Sequence, residues 1–129
     1  MTEKNSTIIK NDSQDFGEIA HRLKLTAEDF NVPVVLVSQV SPDCENREDK
    51  RPVLADLQCF GEIELHADTV IFLYREAYYN PDCSDPHIAE CIVAKNKLDC
   101  ETGTVYVNWS MPYAKFNSPV LFPIDEIGE

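Results

Sequence analysis

The sequence predicts an α/β domain whose sheet is mostly parallel, flanked by helices, and closed by a C-terminal β-hairpin. Three observations predict it. Apolar residues recur at three- and four-residue steps from Ser13 to Phe30, and an uninterrupted apolar run, Val34–Val37, follows almost at once. A second run, Thr69–Tyr74, precedes a stretch of alternating residues broken by a turn. A helix, a short turn and a buried strand in succession are the grammar of a sheet covered by helices.

Phe16, Ile19, Ala20, Leu23, Ala27 and Phe30 form one stripe of a helix over 13–30, with Glu18 four residues before Arg22 as a surface pair. Asn31 and Pro33 end it. Val34–Val37 suits a strand buried on both faces, with Ser38 and Gln39 at its end. Residues 41–52 read as a charged loop bracketed by Pro42 and Pro52; Pro52 opens a short helix to Leu57 that Gly61 breaks. Ile63, Leu65 and Ala67 suggest a further short turn. Thr69–Tyr74 is the second buried strand, and 75–87, rich in Tyr, Asn, Pro and Asp, is a loop. Ile88–Lys95 alternates as a third strand before a turn around Asp99–Gly103. Thr104–Trp109 and Tyr113–Phe116 complete the set as a hairpin. The polar residues 1–12 and the proline-bearing 118–129 read as flexible ends of a single domain over 13–117.

A chain of 129 residues can bury a core without disulfides, and 43% hydrophobic content excludes a disordered tail. No apolar run approaches membrane-spanning length, and the first residues carry no secretory h-region, so a cytoplasmic protein without membrane contact is expected. The five cysteines, Cys44, Cys59, Cys83, Cys91 and Cys100, show no C-x-x-C spacing, and neither His66 nor His87 completes a zinc pattern. Reduced thiols and no metal are expected. The formal net charge of −12 repels nucleic acid, so any contact with DNA must come from local bases. Two clusters qualify: Arg47, Lys50 and Arg51, then Lys95 with Lys97.

Four stretches in register carry a resemblance. They are HRLKLTAEDFNVPVVLVSQ (21–39); DKRPVLADL (49–57), close to K-R-P-x-x-x-D-L; GEIELHADTVIFLYREAYYNP (61–81), similar to G-S-I-E-Q-D-A-D followed by a strand and Tyr-Arg; and IAECIVAKNK with ETGTV. Together they resemble the C-terminal part of the RecA-like ATPase domain of DnaB-type replicative DNA helicases, over roughly 16–117. The resemblance implies a partial RecA-like, P-loop NTPase-like fold and a hexameric ring that unwinds DNA with ATP and magnesium. It also implies nucleotide sites shared between neighbouring subunits.

By that resemblance, Gln39 senses the γ-phosphate, since an amide both donates and accepts. Lys95 and Lys97 reach into the neighbour's site. The family usually carries arginine at the second of these positions, and lysine lacks its planar fork. Arg75 stacks on the nucleotide base, with Trp109 near the opposing aromatic position; core packing is the plainer role for an indole. Arg47, Lys50 and Arg51 face single-stranded DNA, although a solvated charged loop is the plainer reading. The family's Arg-Glu-Ser-Gly is Gln58-Cys59-Phe60-Gly61 here, and its following serine is Glu62, changes that weaken phosphate binding.

The phosphate-binding motif G-x-x-x-x-G-K-[ST] is missing: none of Gly17, Gly61, Gly103 and Gly128 precedes a lysine. The expectation is therefore that the isolated chain binds no cofactor and is not catalytic. The alternative role is a non-catalytic, helicase-related protein that oligomerises or docks on a helicase ring. An uncovered strand edge would favour a homo-oligomer or helicase subunits as partners.

Overall fold

The computed structural model describes residues 13–57 and 60–118. The chain divides into two compact units, Met1–Asp68 and Thr69–Glu129. The expected flexible N-terminus, and all but the first residue of the expected tail, lie outside the described residues.

In the first unit the apolar periodicity produces helix α1, Ser13–Phe30. Ala20 is buried and Phe16, Ile19, Leu23 and Ala27 are half-buried, as the stripe requires, but Phe30 at its end is exposed. Glu18 and Arg22 pair at 2.6 Å. Asn31 adopts a left-handed φ of 52°. Its N–H donates to the Glu28 carbonyl, and the Val32 N–H donates to the Ala27 carbonyl at 3.0 Å. That pair of bonds is a Schellman closure, with asparagine supplying the left-handed residue that glycine usually supplies.

A second helix, α2, spans Phe60–His66 and packs on α1 with Ile63 buried. Gly17 lets it approach. A Cβ on Gly17 would stand 2.7 Å from Glu62 Oε2 and 3.0 Å from Glu62 Cβ. Gly61 lies inside α2 and does not break a helix, because its side-chain position meets only open space and costs propensity alone. The turn expected around Ile63 and Leu65 is the body of the same helix.

Between the helices, Pro42–Asn46 forms a 3₁₀ turn anchored by buried Cys44, and Leu54–Asp56 forms a second. A single antiparallel bridge, Val40 to Leu57, closes the base of this loop, beside a 2.7 Å bond from the Ser41 N–H to the Asp56 carbonyl.

The expected parallel sheet is not what the described residues form. Val34–Val37 belongs to no strand and joins no ladder, and its side chains are exposed, Val35 by 86% and Val37 by 89%. The run has the two-sided apolar character of a central strand, yet among the described residues none hydrogen-bonds along it as a strand partner. The sheet lies wholly in the second unit and is antiparallel throughout. Its strands, in order β1 (Thr69–Tyr74), β2 (Ile88–Asn96), β3 (Gly103–Ser110) and β4 (Lys115–Asn117), pair each with the next. The β2–β3 and β3–β4 connections are far shorter than the dozen or more residues a parallel crossover needs, so those strands can return only antiparallel.

One face of β1 is buried by Val70, Phe72 and Tyr74, while Ile71 and Leu73 on the other are more than half exposed. Opposite, β2 contributes fully buried Ala89 and nearly buried Glu90, the latter in register with Tyr74. The terminal hairpin is present as expected. Its second strand begins two residues late, because Met111–Tyr113 forms a 3₁₀ turn that ends on Ala114 with φ 46°. The loop after β1 holds a one-turn helix α3, Glu76–Tyr79.

Candidate functional site

In the first unit, Arg47, Lys50 and Arg51 share the loop closed by the Val40–Leu57 bridge, but their cations are not equally placed. The Arg47 guanidinium grips Asp56 with both prongs, Nη1 to Oδ1 and Nη2 to Oδ2, each at 2.7 Å. It also donates to the Arg51 carbonyl at 2.8 Å and the Asp49 carbonyl at 3.4 Å. Asp56 is only 6% exposed and additionally accepts the Val53 N–H at 2.7 Å. Hydrogen bonding to Arg47, reinforced by Val53, holds the Asp56 carboxyl below the ordinary carboxylate range despite burial. Arg47 is held above its ordinary value by the same pairing.

Lys50 Nζ donates to the Arg47 carbonyl at 3.2 Å. Arg51 pairs with Asp49 at 3.2 Å, with its side chain 44% exposed, in a solvated contact that another anion can compete for. Sequence reasoning passed over Asp56, although it is the aspartate of the K-R-P-x-x-x-D-L stretch. Gln39 lies exposed just after the Val34–Val37 run, one residue before the Val40 bridge, and its carbonyl accepts the Ser38 hydroxyl.

In the second unit, Arg75 directly follows β1 and Trp109 lies in β3, and the sheet brings them together. The guanidinium carbon stands 4.8 Å above the indole ring centre. The two therefore stack on each other, a cation–π contact. The Arg75 Nε is buried and has no hydrogen-bond partner among the described residues. Trp109 packs on Phe116 at 4.8 Å, its Nε1–H donates to Met111 Sδ at 3.4 Å, and its backbone N–H donates to the His87 carbonyl at 2.6 Å. Beside Arg75, the Tyr74 hydroxyl donates to Glu76, and Tyr74 stacks on Tyr79.

Lys95 lies within β2, opposite Val70, and Lys97 just beyond the strand's end, exposed, in the β2–β3 turn. That turn is locked by reciprocal side-chain bonds. Asn96 Nδ2 donates to Asp99 Oδ1 at 2.6 Å; the Leu98 N–H donates to Asn96 Oδ1, and the Glu101 N–H donates to Asp99 Oδ1. The sequence signal for the lock is the pair of short amide and carboxylate side chains flanking a turn, a known local trade with backbone groups.

The DnaB-like helicase C terminal domain family matches residues 1–118, and the chain belongs to that family. It is 42% identical over 107 residues to the replicative DNA helicase DnaB of Geobacillus stearothermophilus, covering 83% of this chain and 23% of that protein. It is 41% identical over 106 residues to the replicative DNA helicase DnaC of Bacillus subtilis (strain 168), covering 82% of this chain and 23% of that protein. The chain thus spans about a quarter of the curated relatives it matches. Among solved structures it is similar to an ATPase domain, with TM-score 0.78 and 34% identity, covering 87% of this chain and 39% of that one. It is also similar to a DnaB-like replicative helicase studied for its interactions with primase, with TM-score 0.77 and 37% identity, covering 84% of this chain and 26% of that one. No described helix is long and apolar enough to cross a membrane.

Proposed function

We propose that the chain is the C-terminal portion of a DnaB-type replicative helicase motor, which unwinds DNA in replication at the expense of ATP. In isolation it turns over no nucleotide. The observation that carries the second statement is the glycine pattern: none of the four glycines opens a phosphate-binding loop. The residues present fit one end of a nucleotide and not the other. The Arg75–Trp109 stack suits the flat face of a base. No amide-lined cradle with its lysine is available in this sequence for the β- and γ-phosphates or for magnesium.

On this reading Gln39 monitors the γ-phosphate, Lys95 and Lys97 reach a neighbouring subunit's nucleotide, and Arg51 with Lys50 tracks the phosphates of single-stranded DNA. Arg47 shapes that loop through Asp56. The exposed Val34–Val37 run supports a partner strand from outside the described residues, given by another helicase subunit or a second copy.

Lys97 in place of the family's arginine, and Glu62 in place of its serine, favour a second role: a non-catalytic relative that oligomerises or docks on a helicase ring. Phosphate release from Mg-ATP by the pure chain, with and without single-stranded DNA, tests the main reading. The expected rate is that of the buffer. Sustained turnover would overturn it. Co-elution with an intact family helicase, together with a change in that enzyme's ATPase rate, would establish the docking role.

A further inference from the structure

We propose that His21 and His66 form a two-imidazole site for a divalent first-row transition-metal ion that staples α1 to α2. The inference is independent of any nucleotide chemistry. The two rings belong to different helices of the same unit and stand 4.9 Å apart, centre to centre, tilted by 45°. The placement follows from the packing. Gly17 and Glu62 make the close approach between the helices, and His21 and His66 each lie four residues further on, on the same faces, one turn along. His66 also stands where the resembling family sequence G-S-I-E-Q-D-A-D has aspartate, so the pair is a property of this chain and not of the shared motif.

The spacing meets a geometric requirement. With metal–nitrogen bonds of about 2.1 Å, each ring centre lies roughly 3.2 Å from the ion. Two centres 4.9 Å apart then subtend roughly 100° at the metal, between the octahedral and tetrahedral angles. Free rotation about each metal–nitrogen bond accommodates the tilt. His21 is exposed and His66 half-buried, which gives the ion a path from solvent. Neither ring is engaged in a hydrogen bond to a described residue. Among the described residues no third His, Cys, Asp or Glu completes a cluster, so water fills the remaining positions. Imidazole donors favour nickel, copper and zinc over magnesium or calcium.

The test uses the untagged full chain and nickel chloride, followed by calorimetry at about pH 7.5, with His21→Gln, His66→Gln and the double variant. All variants keep the five cysteines, so thiol binding is common to every sample. The expected result is one nickel per chain in the step that depends on the histidines, with its affinity falling about tenfold or more in either single variant and no further in the double. Saturating nickel should raise the thermal midpoint of the wild-type chain and leave both single variants unmoved, because only the ring pair couples binding to the α1–α2 contact. His66→Asp, which restores the family residue, should also lose the thermal shift. Equal nickel affinity in wild type and variants would assign the ion to the thiols and overturn the proposal. So would the lack of any wild-type step tighter than about millimolar.

Discussion

Truncating Arg47 should destabilise the first unit more than any other change to its charged loop. The Asp56 carboxylate is 6% exposed and accepts three N–H donors at 2.7 Å, two from Arg47 and one from Val53. Arg47→Ala leaves it with Val53 alone. Removing one partner of a fully buried ion pair costs about 3–5 kcal/mol, because the remaining charge is stranded. Here the Arg47 side chain is 39% exposed, so water enters the vacated space and offsets part of that loss. The expected cost is about 2 kcal/mol. Arg47→Lys should recover little of it, since an ammonium cannot donate in parallel to both carboxylate oxygens or reach the Arg51 and Asp49 carbonyls together. Urea denaturation followed by circular dichroism measures the change in midpoint. A cycle with Asp56→Ala should show a coupling above about 1 kcal/mol. A cost for Arg47→Ala below about 0.5 kcal/mol, or additive single effects, would refute the reasoning and return Arg47 to the solvated cations.

Four further outcomes follow from the same contacts. Asp56 has its carboxyl pKa lowered in the folded state, so its contribution is fully present above about pH 4 and is lost as pH falls further. Acid titration of stability should show that limb in the wild type and a flatter one in Asp56→Asn. Gly17→Ala should push Glu62 aside and lower the thermal midpoint, at about 1 kcal/mol, and combining it with Glu62→Ala should restore part of the loss. Ala114 holds a left-handed φ of 46°, so Ala114→Gly should stabilise the terminal hairpin by up to about 1 kcal/mol, read as slower amide exchange in β3 and β4. Replacing Val35 and Val37 by lysine should leave folding unchanged, because both side chains are almost wholly exposed, while sedimentation should shift toward the monomer if that run is an assembly surface.

Helix α1 and the terminal hairpin were legible in the sequence because each carries its own local signal, a three-and-four-residue stripe in one case and alternation around a turn in the other. The sheet's direction was not. TVIFLY is continuously apolar and reads as a strand buried on both faces, yet Ile71 and Leu73 are 53% and 58% exposed and only Val70, Phe72 and Tyr74 are covered. Periodicity reports what a strand can bury, not whether a neighbour arrives to bury it. Val34–Val37 shows the same ambiguity more strongly, since a ladder needs a partner that no local pattern encodes. Among the candidate residues, Arg75 with Trp109 and the Lys95–Lys97 hairpin were named from the resemblance, and the geometry adds their neighbours. The Arg47–Asp56 clip was missed because pairing across nine residues depends on side-chain reach, which spacing alone does not give, whereas the Asn96–Asp99 lock carried a local signal that was passed over.

Those locks bear on the proposed inactivity of the isolated chain. Asp56 lies nine residues from Arg47, and Asp99 three residues from Asn96, so both devices close within one loop or turn. Arg75 and Trp109 are farther apart in sequence but are joined through consecutive antiparallel pairs of one sheet. None of the three depends on a strand from outside its own unit. The loop, turn and stack that carry the side chains proposed to face DNA, a neighbour's phosphates and a base are therefore each formed within one unit. A silent ATPase assay would then trace to the missing phosphate loop rather than to collapsed sites. The distinction is physical: a preorganised half-site gains function when a cradle is supplied in trans, whereas a collapsed one would first have to meet the cost of ordering its side chains.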